Sequence, residues 1–212
     1  MSPRERLRGW GHRHLLLSRF YVAGSGEAGQ GLGVGDIMSD VAEDLWVFGY
    51  GSLMWRPGFP FVERQHAHLR GYHRSLCVYS YVHRGTPERP GLVLGLDRGG
   101  RCHGVAFRVA SHEAEKTVQY LREREQVTSV YLERFVPITL DDGRRVTAIA
   151  YVVDRRHPQY AGRLPEPELL RLVQQGRGVS GANPDYVRST HDHLAEMGVT
   201  DPVLASLTRA LT

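Results

Sequence analysis

The sequence predicts an α+β protein built around one central sheet or barrel, and three observations carry that expectation. Short apolar runs closed by turn residues crowd the region from Leu45 to Val153. Helical periodicity takes over after Pro165, and the first forty residues have the texture of neither. Strands first and helices last is the order of a domain whose helices gather at one side of its sheet.

The first strand is predicted at 45–48, an apolar Leu-Trp-Val-Phe run stopped by Gly49. Further strands are expected at 66–72, 75–81, 91–96, 102–109, 131–140 and 146–153. Asp141-Asp142-Gly143 is a tight-turn signal, so the last two should form a hairpin. One helix, from about 113 to 125, interrupts the strands, with Ser111 placed to cap it. Pro165, Pro184 and Pro202 each stand where a helix can begin, giving helices at 166–175, 184–197 and from 202 onward.

Charge narrows the function classes. The chain carries 27 basic and 23 acidic side chains, but the first twenty residues hold five arginines and a single acid. The other 192 residues are therefore balanced, 22 against 22, and offer no basic excess for displacing counterions from nucleic acid. No apolar run approaches the roughly 18 residues that would span a bilayer. Cys77 and Cys102 read as small buried hydrophobes, without a disulfide framework or zinc set, which suits a reducing, cytoplasmic setting.

Residues 1–40 read as a flexible, Arg- and Gly-rich extension, and 41–212 as the functional domain. Glycine recurs at every second or third position from Gly24 to Gly35, a composition that cannot bury a core. Two explanations compete for this extension: an organellar transit peptide, or a dispensable upstream segment with Met38-Ser39-Asp40 as the true start. The second is favoured, because a polar start followed directly by a strand makes a complete domain.

The helix ending near residue 125 holds the first candidate for chemistry. At 100° per residue, Ala114, Val118, Leu121 and Glu125 fall on one narrow stripe. Glu113, Glu115, Arg122 and Arg124 fall on its flanks and Glu123 opposite, so Glu125 is the one charge expected to face inward. Desolvation and the negative end of the helix dipole both disfavour its carboxylate and should raise its pKa, as a general base requires. The alternative is a helix that stops short and leaves Glu125 in solvent. A second candidate is Val47-Phe48-Gly49-Tyr50-Gly51-Ser52-Leu53, where a buried strand enters a glycine-rich turn. Its backbone N–H groups can cradle an anion, or it is a plain tight turn.

Taken in order, these segments resemble the ChaC-type, glutathione-specific γ-glutamylcyclotransferases. Residues Val47 to Leu53 with Met54-Trp55 are similar to the family's V-F-G-Y-G-S-L-(I/M)-W. The likeness continues through His83-Arg84-Gly85-Thr86-Pro87, Pro90-Gly91 and Gly104-Val105-Ala106-Phe107-Arg108. It then takes in Arg124-Glu125, followed by Thr128 and Tyr131, His157-Pro158-Gln159-Tyr160, and Gly178-Val179-Ser180-Gly181-x-Asn183-x-x-Tyr186. It departs at Gln126-Val127 and at Ser129, where some members have glycine.

The resemblance implies a compact mixed β-barrel with peripheral helices, and the conversion of glutathione to 5-oxoproline and cysteinylglycine without cofactor or metal. It implies Glu125 as general base and acid. Val47, Phe48, Gly49, Tyr50, Gly51, Ser52 and Leu53 would hold the γ-glutamyl group, with the Tyr50 and Tyr131 hydroxyls fixing its geometry. Arg84 suits the glycine carboxylate of glutathione and equally suits a salt bridge within its own loop. Two other functions stay open: a broader cyclotransferase for γ-glutamyl amino acids or γ-glutamylamines, and a noncatalytic γ-glutamyl-binding module. His83 reads as a loop histidine, and His66-x-His68 as surface rather than a metal site, since no third ligand is in view.

Overall fold

A computed structural model describes residues 43–125 and 129–211. The expectations for the first forty residues, and those touching Gln126, Val127 and Thr128, lie outside the described residues.

Five strands close into a barrel: β1 (Leu45–Gly49), β2 (Glu63–Ser80), β3 (Gly91–Val109), β4 (Tyr131–Leu140) and β5 (Arg145–Val153), in the order β1-β3-β2-β4-β5. β1 lies antiparallel to β3, with Val47 opposite Phe107, and parallel to β5, with Val47 opposite Ile149. Trp46, Val47 and Phe48 are all buried, so the strand is dry on both faces. That is why it reads as a continuous apolar run without alternation. The expected β4–β5 hairpin is present, with Tyr131 opposite Val153 and the Gly143 N–H donating to the Leu140 carbonyl across the turn.

Four of the predicted strands are two. The segments at 66–72 and 75–81 are both β2, and those at 91–96 and 102–109 are both β3. The breaks expected at 73–74 and 97–101 are not there: His73 pairs with Asp97 and Arg74 with Leu96, and the ladder runs on. Arg70 pairs with Arg101, the register slips, and pairing resumes at Tyr72 and Arg98. Gly71 takes a positive φ of 85° at the slip. A bulge of this kind bends a ribbon without ending it. At about 3.3 Å per residue, the 18 residues of β2 span roughly 60 Å, and the helical layer packs against β3.

α1 (Ser111–Glu125) starts at Ser111 itself, not after it. Its first N–H, that of Ser111, donates to the Asp44 carboxylate at 3.0 Å, so a residue just before β1 satisfies one of the helix's free N-terminal donors. After the barrel come α2 (Glu166–Gln175), α3 (Asn183–Glu196) and α4 (Pro202–Ala210). Asp201 caps α4 by accepting from Val203 and Leu204 N–H, both at 3.1 Å, an interaction of about 1 kcal/mol. Between α2 and α3 lies a miniature hairpin, β6 (Arg177–Gly178) and β7 (Gly181–Ala182), that the sequence pattern does not show. No described helix is long and apolar enough to cross a membrane. Cys77 and Cys102 are buried free thiols, and burial pushes Cys77 up to about 12.

Candidate active site

β1 delivers its chain directly into Tyr50, Gly51 and a single 3₁₀ turn, Ser52–Met54. The turn folds back so tightly that a Cβ on Gly49 would stand 3.0 Å from Leu53 Cβ and 3.3 Å from Met54 N. A side chain at position 49 would fit only if the turn gave way by a few tenths of an ångström, about 0.3. Gly51 is different: a Cβ there would meet only Leu94 Cδ1 at 3.7 Å and the Tyr186 hydroxyl at 3.9 Å, both on the wall of a cavity. Arg74 pins the segment from behind, with Nε donating to the Tyr50 carbonyl and Nη2 to the His103 carbonyl, each at 2.6 Å. Ser52 and Leu53 open the turn, where N–H groups have no intrahelical acceptor. The loop is held rigid while its leading amides stay available.

The cavity has a volume of about 330 Å³, within the range of small-molecule sites. Glu125, the last residue of α1, lies in its lining. Burial raises its pKa above the ordinary carboxylate value, and the neighbouring Arg124, whose Nε is 3.2 Å from Oε1, offsets only part of that rise. Around it stand Tyr50, Tyr131 and Tyr186. Burial raises all three phenols, Tyr186 to about 12, and the Glu125 carboxylate raises each further. At neutral pH they are uncharged hydrogen-bond donors.

One strand residue organises two of these phenols. The Tyr131 hydroxyl donates to the Leu94 carbonyl at 2.8 Å, and the Tyr186 hydroxyl accepts from the Leu94 N–H at 3.2 Å. Two residues earlier, Asn183 clamps the Leu92 peptide groups, accepting from N–H and donating to the carbonyl at 2.7 Å each. Asn183 is fully buried at the start of α3. It fixes the helix that carries Tyr186 to the strand that Tyr186 touches.

The loop after β2 brings in Arg84. It is threaded under the β6–β7 hairpin so closely that a Cβ on Gly178 would lie 2.1 Å from the Val82 carbonyl oxygen. Val179 and Ser180 N–H groups donate to the Val82 and His83 carbonyls, and His83 Nδ1 lies 2.9 Å from Ser180 Oγ. The Arg84 guanidinium donates to the Ala182 carbonyl at 3.1 Å and lies over the Tyr186 ring, 5.3 Å from its centroid. It makes no ion pair among the described residues, so the loop salt bridge is not formed. A half-buried cation faces the cavity with donors to spare.

The structure therefore brings together Glu125, Phe48, Tyr50, Gly51, Ser52, Leu53, Arg84 and Tyr131. Val47 and Gly49 are not in the lining: Val47 lies wholly inside the barrel, between β3 and β5, and Gly49 serves the turn. Arg124 departs from its expected place on a flank. Its long side chain curls inward to donate to Ser52 Oγ at 2.9 Å and the Arg56 carbonyl at 2.7 Å. A helical wheel places Cβ atoms, not the ends of four-carbon stems. The fully buried residues of α1 are Thr117 and Leu121, with Ala114 and Val118 half-buried beside them. Tyr186 lines the cavity without having been singled out; its one signal was its place at the end of the G-x-S-G-x-N-x-x-Y segment. Ser129 has φ 56°, a left-handed conformation that accounts for glycine being suited to this position. His66 and His68 share an outer face beside Asp141, at 3.7 and 3.2 Å. Among the described residues no group of three or more His, Cys, Asp or Glu side chains is arranged to hold a metal ion.

A closed mixed barrel with this element order is the γ-glutamyl cyclotransferase fold. The crystal structure of the selenomethionine-labelled γ-glutamyl cyclotransferase specific to glutathione from yeast matches with a TM-score of 0.73, covering 80% of this chain and 96% of that one at 22% identity. The chain belongs to the ChaC-like protein family, whose model matches residues 45–212. It is 38% identical over 163 residues to the glutathione-specific γ-glutamylcyclotransferase of Escherichia coli (strain K12), covering 77% of this chain and 71% of the relative. It is 34% identical over 173 residues to glutathione-specific γ-glutamylcyclotransferase 1 of Homo sapiens, covering 79% and 78%.

Proposed function

We propose that this protein is a glutathione-specific γ-glutamylcyclotransferase, with Glu125 as general base and then general acid. The observation that carries the assignment of residues is a half-buried carboxylate of raised pKa in the same small cavity as the Tyr50–Leu53 turn.

The chemistry needs little from the protein, because the nucleophile belongs to the substrate. The α-amine of the γ-glutamyl unit attacks its own γ-carbonyl carbon, forming the ring C–N bond while the amide C–N bond to cysteine breaks. Glu125 takes a proton from the attacking amine and returns one to the leaving cysteinyl amine, so no water is consumed and the carboxylate is regenerated. The products are 5-oxoproline and cysteinylglycine. The rigid turn holds the γ-glutamyl chain in its ring-closing conformer, and its N–H groups stabilise the oxyanion that develops. Neutral Tyr50 and Tyr131 line the same wall. Arg84, cationic and unpaired by any acid among the described residues, receives the glycine carboxylate and favours glutathione over simple γ-glutamyl amino acids.

Residues 41–212 form the catalytic unit in this proposal. A reducing cytoplasm suits it, since glutathione is the substrate and both cysteines are buried free thiols. The test is incubation with reduced glutathione, following 5-oxoproline and cysteinylglycine. Turnover that survives Glu125→Gln removes the assigned base. No product from glutathione, but product from γ-glutamyl-alanine, replaces the substrate with the broader class.

A further inference from the structure

Arg124 is where the two halves of the site meet. Its Nε lies 3.2 Å from Glu125 Oε1. Nη2 donates to Ser52 Oγ at 2.9 Å, and Nη1 donates to the Arg56 carbonyl at 2.7 Å and the Tyr120 hydroxyl at 3.0 Å. The side chain is 24% exposed. A guanidinium has five N–H donors in one plane, and here they connect the end of α1, the first residue of the 3₁₀ turn and the segment that follows it. Ser52 and Glu125 are 73 positions apart in sequence, and the Arg124 side chain contacts both.

We propose that Arg124 is a positioning residue for the cyclisation, fixing the Glu125 carboxylate relative to the Ser52 end of the substrate cradle. The inference rests on Glu125 being the base. Ring closure requires the base to stand within hydrogen-bond reach of the substrate amine while the turn holds the γ-carbonyl, so the distance between base and turn is the quantity the enzyme must control. Cradle and base come from different elements, and a small relative displacement is costly. Arg124 also supplies a positive charge that partly offsets the burial of Glu125. Charge and shape are separable by substitution: lysine keeps the first and loses the planar fork.

The experiment compares wild type, Arg124→Lys, Arg124→Ala and Glu125→Gln as full chains, recording kcat and KM for glutathione across pH. Arg124→Lys should lower kcat by roughly 100-fold, the cost of a misplaced catalytic group. Its acidic limb should stay near that of wild type, and KM should change far less than kcat. Arg124→Ala should lose kcat similarly and also move the acidic limb upward by about one pH unit, since an opposite charge at this distance is worth that or more. Low, non-denaturing guanidinium should restore part of its kcat. Wild-type kcat in Arg124→Lys would overturn the proposal even if Arg124→Ala does not fold. A change confined to KM would do the same. If Glu125→Gln itself turns over normally, the base is misassigned. If Glu125→Gln is inactive while Arg124→Lys is normal, only the positioning role falls.

Discussion

Asp97 and Glu125 are both withdrawn from solvent beside an arginine, and they end in opposite states. Asp97 has 9% of its side chain exposed and Glu125 19%, so solvent contact alone would make Asp97 the weaker acid. Burial does push both upward. At Asp97, however, Arg155 Nε at 2.6 Å, the Tyr160 hydroxyl at 2.8 Å and the Arg98 N–H at 2.8 Å together outweigh burial, and the net shift is downward. Glu125 has one partner at 3.2 Å, whose remaining donors are committed elsewhere. It also lies deep in the fold, reached by solvent through the cavity, whereas Asp97 is covered but shallow. The number of donors and the depth, not contact with water, decide which acid holds its charge. Asp97 is an anchor, whereas Glu125 keeps the raised pKa that the proposed base requires.

The largest test of that contrast is activity. Glu125→Gln should lower kcat for glutathione by about 10³, in the range of a general base, measured as 5-oxoproline release. Asp97→Ala should leave kcat within a few-fold of wild type, because Asp97 is not in the cavity lining.

Stability should show the reverse. Asp97→Ala removes the acceptor of Arg155, Tyr160 and Arg98, and because Arg155 and Arg98 regain water the cost in urea denaturation at pH 7 should be about 1–2 kcal/mol. Its depressed folded pKa means this contribution is present above the unfolded value near 3.8 and is lost as pH falls through the folded value. Wild type and Asp97→Asn should therefore converge in strong acid.

For Glu125 the sign inverts. A raised folded pKa favours the folded state below the unfolded value of 4.5 and penalises it as pH rises through the folded value. Glu125→Gln should thus melt higher than wild type at pH 7, on the order of 2 °C for a chain of this size. The gap should close by about pH 4.5. A lower melting temperature would mean the carboxylate is a structural partner of Arg124 and not a strained base. The smallest effect belongs to Ser129, just before β4: Ser129→Gly relieves a left-handed φ, and since glycine also gains freedom in the unfolded chain, the net stabilisation should be only a few tenths of a kcal/mol, about 0.3.

What was legible in the sequence was local. Asp141-Asp142-Gly143 announces its hairpin, and the prolines announce three helices, because turn and cap chemistry acts over a few residues. Glu125 was legible because its inward stripe repeats every turn. The fused β2 and β3 were not, since nothing at 73–74 marks continuity and Gly99-Gly100 looks the same whether the chain turns or bulges, and only the partner strand decides. Arg124 was missed because its stem is long enough to reverse the direction its Cβ suggests. The Asp97–Arg155–Tyr160 cluster joins residues some sixty positions apart that no spacing rule connects. Val47 and Gly49 belong to the most recognisable segment of the chain, yet they build the wall behind the site and do not face it.

The side chains that grip Leu92 and Leu94 have one more consequence. Along 91–96, β3 pairs with β2 on one side, while β1 pairs with it only at 105–109. The Leu92 and Leu94 amides therefore point from an open strand edge, the kind of surface that recruits a strand from another molecule. Asn183, Tyr131 and Tyr186 occupy those amides as a neighbouring strand would. The residues that shape the cavity thus complete the hydrogen bonding of the strand that forms its wall. Asn183→Ala, which leaves both Leu92 peptide groups unpaired inside the protein, should lower the melting temperature as well as the turnover.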